Sequence, residues 1–297
     1  KKDKKMTQIR TDLAAELYGE KLKSYAEENR GKPDGIKETE KDAGDGITVS
    51  EIEIENEHGA SLLGKPVGKY ITVSFPTARD MDFAMLKNTA DAVAKEIRLL
   101  LCELSEKPES LLFCGLGNRL LSADAVGPAA FDRVIATRHL KLSNPEVFDK
   151  ASLFDVSSVS PGVTAQTGIE ACNIIKSVIA SEKPDLVIVA DALAAKSKER
   201  LARTVQISNT GISPGSGIGG SHKEISLDTV GVPVFSIGTP TVIATSVLSG
   251  DENEKGDTFF VSPKEIDIIA KNLGTLIGCA VNRAFQPAIS YEEMLFL

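Results

Sequence analysis

The sequence predicts an α/β fold, a single domain with a largely parallel sheet flanked by helices. Two short apolar runs, residues 111–114 and 186–190, carry this prediction. Each run is followed by Gly, Asn or Asp and then by a helical pattern, which is typical of a parallel strand buried on both faces. Strand and helix patterns also alternate along the rest of the chain, as they do in α/β proteins.

The elements are predicted in order from their periodicity. Strands are expected over residues 50–55, 69–75, 111–114, 152–159, 185–190 and 232–238, and helices over 78–104, 128–140, 164–180 and 263–284. The first two strands alternate polar and apolar residues, which favours half-buried or edge positions. Residues 26–46 are rich in Lys, Glu, Asp and Gly without periodicity, which predicts a poorly ordered segment.

The composition excludes several classes of protein. The chain has 297 residues and a net charge of -8, which argues against nucleic-acid binding because neutralising phosphates requires clustered Lys and Arg. No apolar run is long enough to span a bilayer, and no signal-peptide core is present near residue 1. We therefore expect a cytoplasmic protein that binds neither membrane nor nucleic acid.

Two aspartates are the candidate catalytic residues. Asp124 follows the first apolar run, and Asp191 comes directly after the second. The carboxyl ends of parallel strands meet at one edge of the sheet, so we expect both side chains to converge on one crevice. Two carboxylates held close share a proton and can act as base and acid around a water molecule. The alternatives are that Asp124 caps the helix near Gly127 and that Asp191 only ends a buried strand.

Two glycine-rich segments accompany these aspartates. Gly115, Gly117 and Asn118 form the turn before Asp124, which lacks the third glycine of a dinucleotide fingerprint. We expect this turn either to offer amides to an oxyanion or to support the site loop. The run 211–220 predicts a flap over a cleft. Either segment would serve a nucleotide-binding or anion-binding module, which is one alternative function.

Histidines and cysteines show no metal-type spacing, so we expect no metal and no cofactor.

Several motifs together resemble the germination proteases of endospore-forming bacteria. They are Gly115 to Asn118, Asp124 to Pro128, Thr137 to His139, Pro161 to Gly168, Asp191 to Ala194 and Gly211 to Gly219. The resemblance runs from about Ile9 to Ala284. Asn209 stands where bacillar members are expected to have Asp, which disfavours a catalytic role at that position.

This resemblance implies a specific function. It implies an atypical aspartic endopeptidase, with catalytic residues matching Asp124 and Asp191, that starts the degradation of small acid-soluble spore proteins during germination. It further implies a homotetramer in the forespore and spore core, and a sheet similar to that of hydrogenase maturation proteases. A metal-dependent endopeptidase of that maturation type is the second alternative function.

The resemblance also implies a zymogen with a short amino-terminal propeptide. Family substrates are cut after an acidic residue and before an apolar residue followed by Ala, and Asp12-Leu13-Ala14 fits this pattern. We expect residues 1–12 to be a leader, cut between Asp12 and Leu13, and residues 13–297 to be the protease domain. The alternative is that Asp12 caps a helix beginning at Leu13.

Overall fold

The computed structural model describes residues 11–28, 31–220, 222–245 and 259–296. Its central element is a sheet of nine strands. The strands are β1 (Ile36–Gly44), β2 (Ile47–Ile54), β3 (Gly68–Ser74), β4 (Ser110–Leu116), β5 (Asp155–Gly162), β6 (Leu186–Ala195), β7 (Thr204–Ser208), β8 (Val234–Ala244) and β9 (Phe260–Val261). Their order is β1-β2-β3-β7-β8-β6-β4-β5, and β9 pairs with β8.

The sheet has a parallel part and an antiparallel extension. Strands β8, β6, β4 and β5 are parallel neighbours, and both apolar runs of the sequence lie in this part. Strands β1, β2, β3 and β7 continue the sheet in antiparallel pairs. The α/β fold class is confirmed.

Helices cover both faces of the sheet. They are α1 (Ala14–Glu27), α2 (Glu57–Leu63), α3 (Phe83–Leu101), α4 (Val126–Phe131), α5 (Arg138–Ser143), α6 (Pro145–Lys150), α7 (Thr164–Thr167), α8 (Ala171–Glu182), α9 (Leu227–Val230), α10 (Ile266–Phe285) and α11 (Tyr291–Phe296). Within the described residues, no helix is both long and apolar enough to cross a membrane.

Alternation along β4 shows how the two faces are filled. Leu111 and Phe113 pack into the core beneath α3, α4 and α10. Leu112 and Cys114 pack into a separate core beneath α8. Successive side chains of a strand point to opposite faces, so these two cores lie on opposite sides of the sheet. The helix α1 covers a third cluster over β2 and β3.

The structure corrects the expectation for residues 26–46. Residues 36–44 of that segment form the edge strand β1, whose side chains are exposed beyond Ile36. A two-residue turn at Asp45 and Gly46, both with positive φ, joins β1 to β2. An edge strand has one free edge, and here both faces are solvated beyond Ile36, so its charged residues produce no apolar period.

Two of the predicted helices are each divided into two shorter helices. In the region predicted as one helix over 128–140, α4 ends at Phe131. The chain cannot continue as a helix because Thr137 is hydrogen-bonded to β5. The Thr137 amide donates to the Val156 carbonyl over 2.8 Å, and its hydroxyl accepts from the Val156 amide over 3.0 Å. The helix predicted over 164–180 divides at Gly168, where φ is +72°. The late helix is confirmed as α10.

Gly127 packs closely against the backbone of β4 and β6. A Cβ at this position would lie 2.0 Å from the Leu116 carbonyl oxygen and 2.6 Å from that of Ala190. We expect Gly127→Ala to lower the free energy of unfolding by about 1–3 kcal/mol, since backbone must move. Urea unfolding followed by circular dichroism measures this value.

Gly19 in α1 is the matched control, since nothing lies within 4 Å of the added Cβ. Gly19→Ala should stabilise the protein by about 0.5–1 kcal/mol through helix propensity. Equal effects of the two substitutions would contradict the packing explanation.

Candidate active site

Asp191 lies inside β6 rather than at its end, because β6 continues to Ala195. The pairing of β6 with β4 ends at Ala190, which pairs with Gly115. On the other side, Asp191 pairs with Gly238 of β8. The Asp191 side chain is only 6% exposed. It therefore lies where β4 no longer pairs with β6, and a crevice opens there at the carboxyl end of β4.

Asp124 ends a short 3₁₀ turn, Ser122–Asp124, between β4 and α4. Its Oδ2 accepts a hydrogen bond from the Asn118 amide at 2.8 Å. The turn is also anchored to β8, because the Thr241 hydroxyl donates to the Ala123 carbonyl at 2.6 Å. The helix α4 has no side-chain cap. The interpretation of Asp124 as a helix cap is therefore wrong, and its carboxylate is held by the turn that precedes it.

Glycines allow the Asp124 turn to approach β6. A Cβ at Gly115 would lie 2.3 Å from the Gly127 carbonyl oxygen, so only glycine lets α4 pack this closely on β4. Gly117 has φ of +117°, and a Cβ there would lie 2.0 Å from the Asp124 carbonyl oxygen. These positions set the path of the chain around Asp124.

One cavity of about 430 Å³ contains both aspartates. Its wall is mostly apolar and includes Leu116, Leu121, Val163, Leu193, Ile218 and Phe260. The glycine-rich run contributes Pro214 and Gly215 to the wall, so this part of the predicted flap does border the cleft.

The cavity perturbs both carboxyl groups. Burial raises the pKa of Asp191 well above its usual range, and the nearby charge of Asp124 raises it further. The Ala192 amide, which donates to Asp191 Oδ1 at 2.9 Å, acts against this shift. Burial also raises the pKa of Asp124, opposed by the Asn118 amide. Two buried carboxyl groups that repel each other's charge favour a state with one shared proton.

The amide of Asn118 is engaged by Asp124, so it is not free to bind an oxyanion. The Asn118 side-chain oxygen accepts from Gln166 Nε2 at 2.6 Å. Gly117 lines the cavity, whereas Gly115 lies within β4. The contacts of Gly115 and Asn118 thus support the loop that carries Asp124.

The segment before α1 enters the same cavity. Asp12 lines it, and the charge of Asp12 adds to the rise in the Asp191 pKa. Leu13 is fully buried against Leu193 and Ala195 of β6. Leu13 is the N-cap residue of α1, which has no side-chain cap. The interpretation of Asp12 as a helix cap is therefore wrong.

Several residues of the cavity region were not found by the sequence patterns. Thr241 anchors the Asp124 turn, while Gln206 on β7 and Ser216 in the glycine-rich run hold Asp12. Thr241 and Gln206 belong to no motif, so no sequence signal identifies them, whereas Ser216 lies in the run 211–220 that was predicted to cover the cleft. Asn209 accepts from the Lys69 amide at 2.9 Å, which is a structural contact. Among the described residues, no cluster of three or more His, Cys, Asp or Glu is placed to hold a metal ion.

The chain is similar to proteins of known structure and known family. A solved [NiFe] hydrogenase maturation protease, HycI from Thermococcus kodakarensis, matches 62% of this chain and 99% of its own at 20% identity, with a TM-score of 0.35. The germination protease of Clostridium perfringens is 34% identical over 97% of this chain and 98% of that relative. That of Bacillus cytotoxicus is 38% identical over 94% of this chain and 72% of that relative. The sequence model described as germination protease matches residues 13–255. The chain belongs to the germination protease family.

Proposed function

We propose that this peptidase is an aspartic endopeptidase in which Asp124 and Asp191 activate water. The observation that carries the proposal is the presence of both carboxyl groups in one apolar cavity, with the pKa of each raised by burial. Such a pair holds one proton and one charge in the same place, which is what water attack on a peptide bond requires.

The environments of the two carboxyl groups suggest their roles. Asp191 is buried, with 6% of its surface exposed, whereas Asp124 is partly exposed, so we assign the shared proton to Asp191. The charge of the pair is then assigned to the more exposed Asp124, where the Asn118 amide stabilises it. Asp124 takes a proton from water as the water oxygen attacks the carbonyl carbon. Asp191 donates a hydrogen bond to the forming oxyanion and then gives its proton to the leaving amine as the C–N bond breaks. Asp124 keeps the proton taken from water, so the pair still holds one proton.

The proposed substrates are the small acid-soluble spore proteins, cut when spores germinate. Membership of the germination protease family supports this assignment. The same membership supports a homotetramer in the forespore and spore core as the working form. Cleavage of purified spore proteins and the mass in analytical ultracentrifugation test these two points.

We also propose that the full chain is a zymogen with residues 1–12 as its leader. The position of Asp12 supports this proposal, since it lies in the cavity with both aspartates. A leader at this place competes with any substrate for the cavity.

Replacing either aspartate by Asn should abolish proteolysis. Each substitution keeps the shape of the side chain and removes a group that accepts or donates the proton, so we expect at least an approximately 100-fold loss in kcat/KM. Cleavage of a spore protein, followed by mass spectrometry, measures the rate. The matched control is Asp228→Asn on the exposed surface of α9, which should retain wild-type activity.

A variant of Asp124 or Asp191 that cuts within a few-fold of wild type would remove that residue from the mechanism. A strong chelator should leave the activity intact. Activity lost to the chelator and restored by nickel or zinc would favour the metal-dependent alternative.

Asp191→Asn should stabilise the protein at neutral pH. The folded pKa of Asp191 lies above its unfolded value of 3.8, so folding binds protons and stability falls as pH rises through this window. Asn removes this dependence and can still accept from the Ala192 amide. The melting temperature of the variant should exceed that of wild type at pH 7, and the gap should close below about pH 4. A gap that is constant with pH would contradict the raised pKa.

Mild acid should favour removal of the leader by cleavage between Asp12 and Leu13. Lower pH increases the protonated fraction of the carboxyl pair, which the mechanism requires. Sequencing the new amino terminus after incubation should give Leu13, and the full chain carrying Asp124→Asn should remain uncut. A different terminus, or processing in that variant, would contradict self-cleavage at this bond.

A further inference from the structure

Three hydrogen-bond donors of the protease domain hold Asp12. The Ala194 amide donates to Asp12 Oδ2 at 2.9 Å, and the Ser216 hydroxyl donates to Oδ1 at 2.7 Å. The Gln206 side chain donates from Nε2 to the Asp12 carbonyl oxygen at 3.1 Å. Gln206 is only 7% exposed, so this contact is built into the protein. An acidic residue is thus bound by its carboxylate and by its backbone carbonyl.

Two further features fit this place to a carboxylate. A Cβ at Gly217 would lie 2.2 Å from Asp12 Oδ2, so glycine leaves the room that the carboxylate fills. Lys65 borders a second cavity of about 260 Å³, which Asp12 also lines. Burial lowers the pKa of Lys65, and the charge of Asp12 acts against this shift. The surroundings therefore combine hydrogen-bond donors, space for a carboxylate and a nearby lysine side chain.

Loss of residues 1–12 would free all three donors at once. Gln206 would keep its orientation, because its Oε1 accepts from the Ala14 amide at 2.8 Å and Ala14 stays in the protein. The emptied place adjoins the cavity of Asp124 and Asp191.

We propose that Ser216, Gly217, Gln206 and the Ala194 amide form the specificity site of the protease, which binds an acidic residue of the substrate and is blocked by Asp12 until the leader is removed. The inference rests on the proposed proteolytic function, but it assigns the residues that select the substrate. Ser216 and Gly217 decide whether a carboxylate enters, and Gln206 binds the carbonyl of the same residue.

Peptide binding tests this site without requiring hydrolysis. The protein is prepared from Leu13 onward, which keeps every described helix and strand. The probe is a peptide of residues 1–12 with an amidated end, compared with the same peptide ending in Asn. Calorimetry should show binding of the Asp peptide about ten-fold tighter, because charge-assisted hydrogen bonds are lost with Asn.

Variants separate recognition from folding. Ser216→Ala should remove most of the Asp preference, and Gly217→Ala should block both peptides because its methyl group fills the space. The matched control is Ser177→Ala on the exposed surface of α8, which should keep the wild-type preference. Equal affinity for the two peptides, or an unchanged preference in Ser216→Ala, would overturn the proposal. A clear preference without any hydrolysis would retain the site and reject the proposed catalytic function.

A second measurement uses the full chain, so it stands even if the shortened protein does not fold. Asp12→Gly leaves a space of carboxylate size in an otherwise intact leader. Acetate, compared with chloride at equal ionic strength, should raise the melting temperature of Asp12→Gly and not that of wild type. The increase should vanish in Asp12→Gly/Ser216→Ala. An equal response of all three proteins would count against a carboxylate site.

A different observation concerns Glu16, a buried carboxyl group at the start of α1. Its side chain is 9% exposed, and Oε1 has no hydrogen-bond partner among the described residues. The other oxygen, Oε2, accepts from the Thr11 hydroxyl and from the Lys196 amide at 2.7 Å. The ammonium of Lys196 is bound to Glu20 instead. Among the described residues Oε1 therefore has no cationic partner in contact with it, although the charge of Arg200 also acts on the carboxyl group.

The proposed cut would create a cationic partner. Thr11 now bridges the two groups, since its hydroxyl accepts from the Leu13 amide at 3.1 Å and donates to Glu16. Leu13 is the N-cap and Glu16 the third residue of α1, the spacing at which a glutamate reaches back to the N-cap nitrogen. Cleavage removes Thr11 and turns the Leu13 amide into an ammonium group.

We infer that the new Leu13 ammonium pairs with Glu16 and fixes the processed amino terminus against the domain. The shortened protein beginning at Leu13 is compared with the same chain carrying one extra Gly before Leu13. The protein that begins with the free Leu13 amine should have a melting temperature several degrees above that of the protein with the extra Gly. Glu16→Gln should abolish this difference, whereas the control Glu20→Gln should keep it. A difference that survives Glu16→Gln, or no difference at all, would overturn the inference.

Discussion

The close approach of α4 to β4 and β6 is the constraint on which the site depends. At Gly115 and Gly127 the helix backbone lies against the strand backbone, where a methyl group would overlap carbonyl oxygens. This packing brings the Asp124 turn beside Asp191, and the apolar walls then remove water from both carboxyl groups. Burial raises the pKa of both groups, and the charge of Asp124 raises that of Asp191 further.

The crevice that holds the two carboxyl groups also holds the segment before α1. Strand β6 is uncovered by β4 beyond Ala190, so its last residues offer backbone groups that the sheet does not use there. Ala194 uses both of its backbone polar groups to hold Asp12. The free edge of one strand thus binds the segment that is proposed to block the cavity, close to the carboxyl pair. Removal of that segment would change access and charge together.

The Asp45-Gly46 dipeptide indicates a hairpin turn within residues 26–46, although the charged composition of that segment predicts poor order. Asp-Gly between two strands is typical of a tight hairpin, and the structure forms such a turn. The charged strand β1 has no apolar period because only Ile36 of it is buried. Near Thr137 the sequence pattern is helical over 128–140, but the contacts of Thr137 with β5 interrupt the helix there.

The sequence by itself determined the α/β class, the two buried strands and the convergence of Asp124 with Asp191 at the edge of the sheet. It did so because apolar runs, turn glycines and strand direction are local properties of the chain. The tertiary structure alone decided that β6 runs on past Asp191 and that Thr241, Gln206 and Ser216 join the site. These residues are distant in the chain, and their contacts exist only when β6, β7, β8 and the glycine-rich run pack together. No periodicity or motif records a contact between segments that meet only in the folded sheet.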